Sequence, residues 1–76
     1  MLRYVGLTDD PVRRKAEHGD PVDWKTYGPF ATEEKAREWE SAMLRAPNTC
    51  GDARGSGWRF GYAYTMTAAA ESLDHR

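Results

Sequence analysis

Seventy-six residues with 39% hydrophobic content can build one core and no more, since a domain of this size hides only about 60% of the surface its unfolded chain exposes. A single cysteine, Cys50, excludes an intrachain disulfide and a cysteine-rich zinc site. Eleven Lys and Arg against twelve Asp and Glu leave a formal charge of −1, far from the basic balance of a protein that coats nucleic acid, so any such contact must be local. No apolar run approaches the ~18 residues of a membrane helix, and no signal-peptide core follows Met1, so a cytoplasmic protein with no membrane contact is expected.

Leu2 to Leu7 reads as a first strand, ended by the polar triplet Thr8, Asp9, Asp10. Asp10 suits a helix N-cap and Pro11 the first helical position, where its missing N–H costs nothing. Gly19 marks the stop, which predicts a first helix over Pro11 to His18. Gly19, Asp20 and Pro21 turn the chain, and Trp24 to Phe30 reads as a second strand that Gly28 and Pro29 confine to a sheet edge. Thr32 caps a second helix, with Glu33 and Glu34 in its first turn where the dipole favours negative charge. That helix runs to Arg45 on an apolar stripe of Ala36, Trp39 and Met43, and Pro47 and Asn48 end it.

From Asn48 to Gly57 the glycines and polar residues have no periodicity, which predicts a mobile loop. The clearest element follows: Trp58, Phe60, Tyr62, Tyr64 and Met66 alternate with Arg59, Gly61, Ala63, Thr65 and Thr67. One face of this third strand is large and aromatic. The other is small, and Gly61 and Ala63 would let a helix pack closely on it, which suits the centre of a sheet. A strand–helix–strand crossover favours a right-handed parallel arrangement of the first two strands. Inserting the third between them predicts an α+β fold: a three-stranded antiparallel sheet in the order 1-3-2, the C-terminal strand central, with two main helices. Residues 1–67 form the single domain in this reading, and 68–76 a helical or frayed tail.

The run Tyr4-Val5-Gly6-Leu7-Thr8-Asp9-Asp10-Pro11-Val12-Arg13-Arg14-Lys15-Ala16-Glu17-His18 resembles the second half of the signature of the GIY-YIG nuclease family. There a strand ending Tyr-Ile/Val-Gly is followed by Thr, an Asn or Asp helix cap, and a helix carrying Arg and then His; Tyr4, Gly6, Arg14 and His18 fall on those positions. The likeness continues through Phe30, Thr32, Ala36 and Glu40, which match the family's strand end, cap, Ala and metal-binding Glu. Helix geometry points the same way: at about 100° per residue, Glu40 lies roughly 50° from the centre of the apolar stripe and Glu38 roughly 150° away. An inward carboxylate needs a metal, an arginine or a tyrosine hydroxyl beside it; Arg14 is the obvious partner, and a plain salt bridge is the alternative.

The resemblance implies metal-assisted phosphodiester hydrolysis. Mg²⁺ or Mn²⁺ would sit on Glu40, tyrosines such as Tyr4 would help activate water, and Arg14 would stabilise developing charge, so that Tyr4, Arg14, His18 and Glu40 form the catalytic set, with Arg13, Arg14, Lys15 and His18 as the nucleic-acid contacts. The family's Gly-Ile-Tyr strand would precede Tyr4, where only Met1, Leu2 and Arg3 stand. In the 1-3-2 order Phe60-Gly61-Tyr62-Ala63-Tyr64 would take its central place, so Tyr62 or Tyr64 would supply the absent tyrosine in a permuted motif. Other readings remain open: Tyr62 and Tyr64 as core, His18 as a helix C-terminal residue, the three Trp mostly as core, and Arg13 to Lys15 as a solvated face. Three functions follow from these: a nuclease or nuclease-derived domain, a non-cleaving nucleic-acid-binding module on the same fold, and a protein-interaction domain.

Overall fold

Side-chain caps start both helices. The Asp10 carboxylate accepts the Arg13 N–H (3.1 Å) and the Asp10 N–H donates to the Thr8 hydroxyl (3.0 Å), which turns the end of a strand directly into a helix. Thr32 does the same for the second helix, accepting from the Lys35 N–H at 3.2 Å. The computed structural model, which describes residues 2–51 and 57–66, runs β1 (Arg3–Thr8), α1 (Pro11–Glu17), β2 (Lys25–Tyr27), α2 (Glu33–Leu44), β3 (Thr49–Gly51) and β4 (Phe60–Thr65). α1 closes at His18, and Gly19 follows in the left-handed region (φ +81°), as a helix stop requires.

The sheet order is β2-β4-β1-β3. β4 is antiparallel to β1 from Arg3↔Thr65 to Thr8↔Phe60, and antiparallel to β2 from Lys25↔Ala63 to Tyr27↔Gly61. Carboxylates from the two preceding turns hold this strand at either end. Asp9 accepts the N–H groups of Trp58 and Arg59, each at 3.1 Å, and Asp23 accepts the Thr65 N–H at 3.0 and 3.1 Å. The Trp58 and Arg59 N–H groups hold the Asp9 carboxyl below the usual carboxylate range, and the Thr65 hydroxyl, with the Thr65 N–H adding to it, does the same for Asp23.

The three-stranded, wholly antiparallel sheet expected from the sequence is corrected in one respect. Thr49–Gly51, read there as loop, pairs parallel to β1 (Arg3↔Thr49, Tyr4↔Cys50, Val5↔Gly51), so the sheet is four-stranded and mixed, and β1 is interior. Asn48 makes this possible by taking φ +59°, which brings its carbonyl to the Arg3 N–H at 2.8 Å. Asn tolerates that conformation better than most residues, and the free edge of β1 supplies backbone groups that need partners. A three-residue strand has no periodicity to read. The rest of the expected loop, 52–56, and the tail from 67 lie outside the described residues. β2 is also shorter than expected, because Gly28 takes φ +102° ahead of a cis Pro29.

Register assigns the two faces. Tyr4, Gly6 and Thr8 share one face with Tyr64, Tyr62 and Phe60; Val5 and Leu7 share the other with Ala63 and Gly61. α2 covers the second face. A Cβ built on Gly61 would run into the Trp39 indole, at 2.6 Å from Cη2 and 2.9 Å from Cε3, so the small side of β4 is where that ring lies. Trp39 also meets Tyr27 and Phe30, at centroid distances of 5.0 and 5.6 Å. Val5, Leu7, Ala36 and Ala63 are buried in this layer, where each aliphatic side chain of Val or Leu size contributes roughly 1.5–3 kcal/mol. The C-terminal end of α1 lies against the tyrosine face.

Candidate functional site

His18 ends α1 and reaches across to β4, where both of its ring nitrogens meet tyrosine hydroxyls: Nδ1 to Tyr64 at 2.8 Å and Nε2 to Tyr62 at 3.3 Å. A neutral imidazole has one N–H and one bare nitrogen, so one hydroxyl donates to the ring and the other accepts from it. Tyr4 completes the group from β1, with its ring centroid 5.0 Å from that of His18 and 5.6 Å from that of Tyr64. The tyrosine rings lie within 25° of parallel where they stack on Tyr4, and the imidazole inserts across them at 47° to 53°. Tyr62 and Tyr64 are buried, while Tyr4 and His18 are half-buried.

Gly6 makes room for this packing. A Cβ there would strike the Tyr62 hydroxyl and lie 2.5 Å from its Cζ, so Gly6 admits the ring against the β1 backbone. Burial pulls the His18 imidazole below its ordinary value, the Arg14 charge adds to the effect, and Glu17 opposes it. Burial likewise pushes the Tyr64 hydroxyl up to about 12, with Tyr4 and Cys50 adding to the rise. Cys50, half-buried on β3, pairs with Tyr4 in register and extends the row Cys50–Tyr4–Tyr64 across three strands.

Arg14 stands one turn before His18 on α1. It lines a cleft of about 290 Å³ with Thr8, Asp9, Asp10, Arg13, Glu17 and Gly57. The carboxylates there are already engaged: Asp9 with Trp58 and Arg59, Asp10 with the helix start, and Glu17 with both arginines at 3.3 and 3.4 Å. Each guanidinium carries five N–H donors and spends one nitrogen on Glu17, which leaves donors for a phosphate oxygen. Lys15 is half-buried on the same helix.

Glu40 does not join this group. It is 6% exposed on α2, the helix of the opposite face, and its carboxylate pairs at 3.4 Å with Arg37 on its own helix rather than with Arg14. The reason is helical spacing: Arg37 lies three residues back and can fold over the carboxylate, while the sheet separates α2 from the tyrosines. A Mg²⁺ or Mn²⁺ ion held by one carboxylate needs several coordinated waters. A buried, arginine-paired Glu40 beneath the other face does not fit an ion that also serves Tyr4 and His18. Among the described residues no three His, Cys, Asp or Glu side chains cluster as metal ligands.

The sequence-derived site therefore divides. Tyr4, His18, Tyr62 and Tyr64 come together, Arg14 and Arg13 line the cleft beside them, and Glu40 lies apart. Spacing did not single out Trp24, which stacks on Tyr62 at 4.6 Å and 9°; its only signal is its place two residues before Thr26, where strand alternation puts both on the tyrosine face. No family model, curated protein or solved structure matches the chain. Among the described residues no helix is long and apolar enough to cross a membrane.

Proposed function

We propose that this chain is a strand-permuted, GIY-YIG-like nuclease domain that hydrolyses phosphodiesters of nucleic acid. The observation that carries the reading is the row formed by Tyr4, Tyr64 and His18: β4 is the last of the described elements along the chain, yet it pairs with β1 so that Tyr64 lies opposite Tyr4 and bonds the histidine of α1. A hydroxyl–imidazole–hydroxyl chain can hold a proton at Tyr64 Oη or Tyr62 Oη and pass it through the ring, the element that general acid–base attack on phosphorus requires. Arg14, with Arg13 beside it, would take the phosphate oxygens and oppose the charge that develops on them. No step runs through Glu40.

A non-cleaving nucleic-acid-binding module is the second reading, and the burial of Glu40 against Arg37 favours it. Incubation of the full chain with single- and double-stranded DNA and RNA at low salt, in Mg²⁺, Mn²⁺ or EDTA, separates the two. The nuclease reading expects cleavage that is lost in Tyr64→Phe and His18→Ala and weakened in Arg14→Ala. Salt-sensitive binding without cleavage in any ion would transfer the conclusion to the binding module. Neither binding nor cleavage would leave both readings without support and return the chain to the interaction-domain alternative.

A further inference from the structure

Trp24 is an aromatic that stacks on the tyrosines of β4 and that the hydrolytic reading leaves unused. It precedes β2 and lies over the edge of the cluster. Its indole stacks on Tyr62 (4.6 Å, 9°) and on Tyr64 (5.8 Å, 19°), and approaches His18 at 6.2 Å. Three ring contacts from one side chain thus bear on both tyrosines of β4 and on the imidazole.

The ring is itself tied down. The Trp24 Nε1–H donates to the Thr26 hydroxyl at 3.1 Å, and Thr26 pairs with Tyr62 in the sheet register. One residue earlier, Asp23 accepts the Thr65 N–H, so the turn that delivers Trp24 is joined to the end of the strand that carries both tyrosines. The hydroxyl end of Tyr62 lies against β1 at Gly6, where no side chain intervenes. The Tyr62 ring is therefore stacked on an indole while its hydroxyl end rests on a bare stretch of backbone.

We propose that Trp24 is a positioning residue for the Tyr62–His18–Tyr64 chain: its indole sets the planes of the two tyrosines so that their hydroxyls reach the two ring nitrogens of one histidine, and it keeps water from the outer side of that chain. Its consequence for catalysis rests on the nuclease reading, whereas the geometry of the hydrogen-bonded chain does not. Among the described residues, the charged and titratable groups that act on the imidazole are Arg14 and Glu17 on α1, Tyr4 on β1 and the two tyrosines of β4, and Cys50 acts on Tyr64. Trp24 adds no charge, so its removal changes only solvent access and ring placement.

Nitrogen-resolved NMR titration of the His18 imidazole, with His75→Gln as the common background, tests this in Trp24→Leu and Trp24→Phe. Trp24→Leu is expected to raise the His18 midpoint toward 6.5, the value of an unburied imidazole, and to erase the difference between its two ring-nitrogen shifts. Trp24→Phe, which keeps a stacking ring, should restore the wild-type titration. In cleavage assays kcat should fall about 10-fold or more in Trp24→Leu with KM little changed, because the reacting groups move while the arginine cleft stays. If Trp24→Leu does not fold, Thr26→Val, which removes only the anchor of the indole, should shift the titration in the same direction. An unchanged His18 titration in a folded Trp24→Leu or Thr26→Val overturns the proposal. The expected titration change in a chain that cleaves nothing would uphold the positioning role and reject the nuclease reading.

Discussion

Adding one methyl group to each face of the sheet separates what holds the fold from what forms the site. Gly6 and Gly61 are both buried, and neither has a positive φ, so alanine strains neither backbone. Relief of unfolded-state entropy alone would make each substitution stabilising by about 0.4–1 kcal/mol. Contact reverses that sign. The new Cβ at position 6 lies 2.5 Å from Tyr62 Cζ and 2.9 Å from Cε2, and at position 61 it lies 2.6 Å from Trp39 Cη2. Ordinary contact begins near 3.4 Å, so each ring must retreat by several tenths of an ångström or more. Tyr62 is stacked against Trp24, and Trp39 meets Tyr27 and Phe30, which makes retreat costly. Overpacking of this kind costs typically about 1–3 kcal/mol, equivalent to a fall in Tm of about 4–8 °C per kcal/mol in a domain of this length. Thermal and urea unfolding of Gly6→Ala and Gly61→Ala should both show it. Only Gly6→Ala should disturb the His18 ring-nitrogen signals, because Trp39 lies on the other face. Two alanine variants as stable as the wild type would refute the close-packing argument, and a disturbed His18 in Gly61→Ala would refute the assignment of the faces.

Three further outcomes follow from the same contacts. His18 has its midpoint lowered in the folded state, so the unfolded chain binds the proton more readily; its contribution is present above pH 6.5 and lost as pH falls below that value, and urea midpoints measured across this range should decline less in His18→Gln. Asp9 is lowered by the N–H groups of Trp58 and Arg59, and Asp23 by the hydroxyl and then the N–H of Thr65, so their contribution is present above pH 3.8 and lost as pH falls through the folded value; Asp23→Ala should lower the urea midpoint at neutral pH, with the difference shrinking in acid. Glu40→Gln should leave any cleavage within a few-fold of wild type, and a complete loss in a folded protein would give the carboxylate the catalytic role its position argues against.

The parts of this protein that could be read from the sequence are those set by neighbours a few residues apart. Asp10 before Pro11 and Thr32 before Glu33 mark helix starts because a side-chain oxygen and an orphan N–H meet within one turn. The alternation of Tyr62 and Tyr64 with Gly61 and Ala63 marks a strand with one large and one small face, because successive side chains point to opposite sides. That pattern, with the crossover rule, was enough to put β4 between β1 and β2. The tertiary structure decided the remaining features that depend on contact between distant segments. Thr49–Gly51 becomes a strand only because β1 offers it an edge, and Gly6 is required only because the Tyr62 ring arrives from 56 positions away. Glu40 was rightly read as inward, yet a helical wheel says only that a residue faces the sheet and not which side of the sheet its helix covers. Trp24 carries no local signature either, since its stacking partners reach it only once β4 has been inserted.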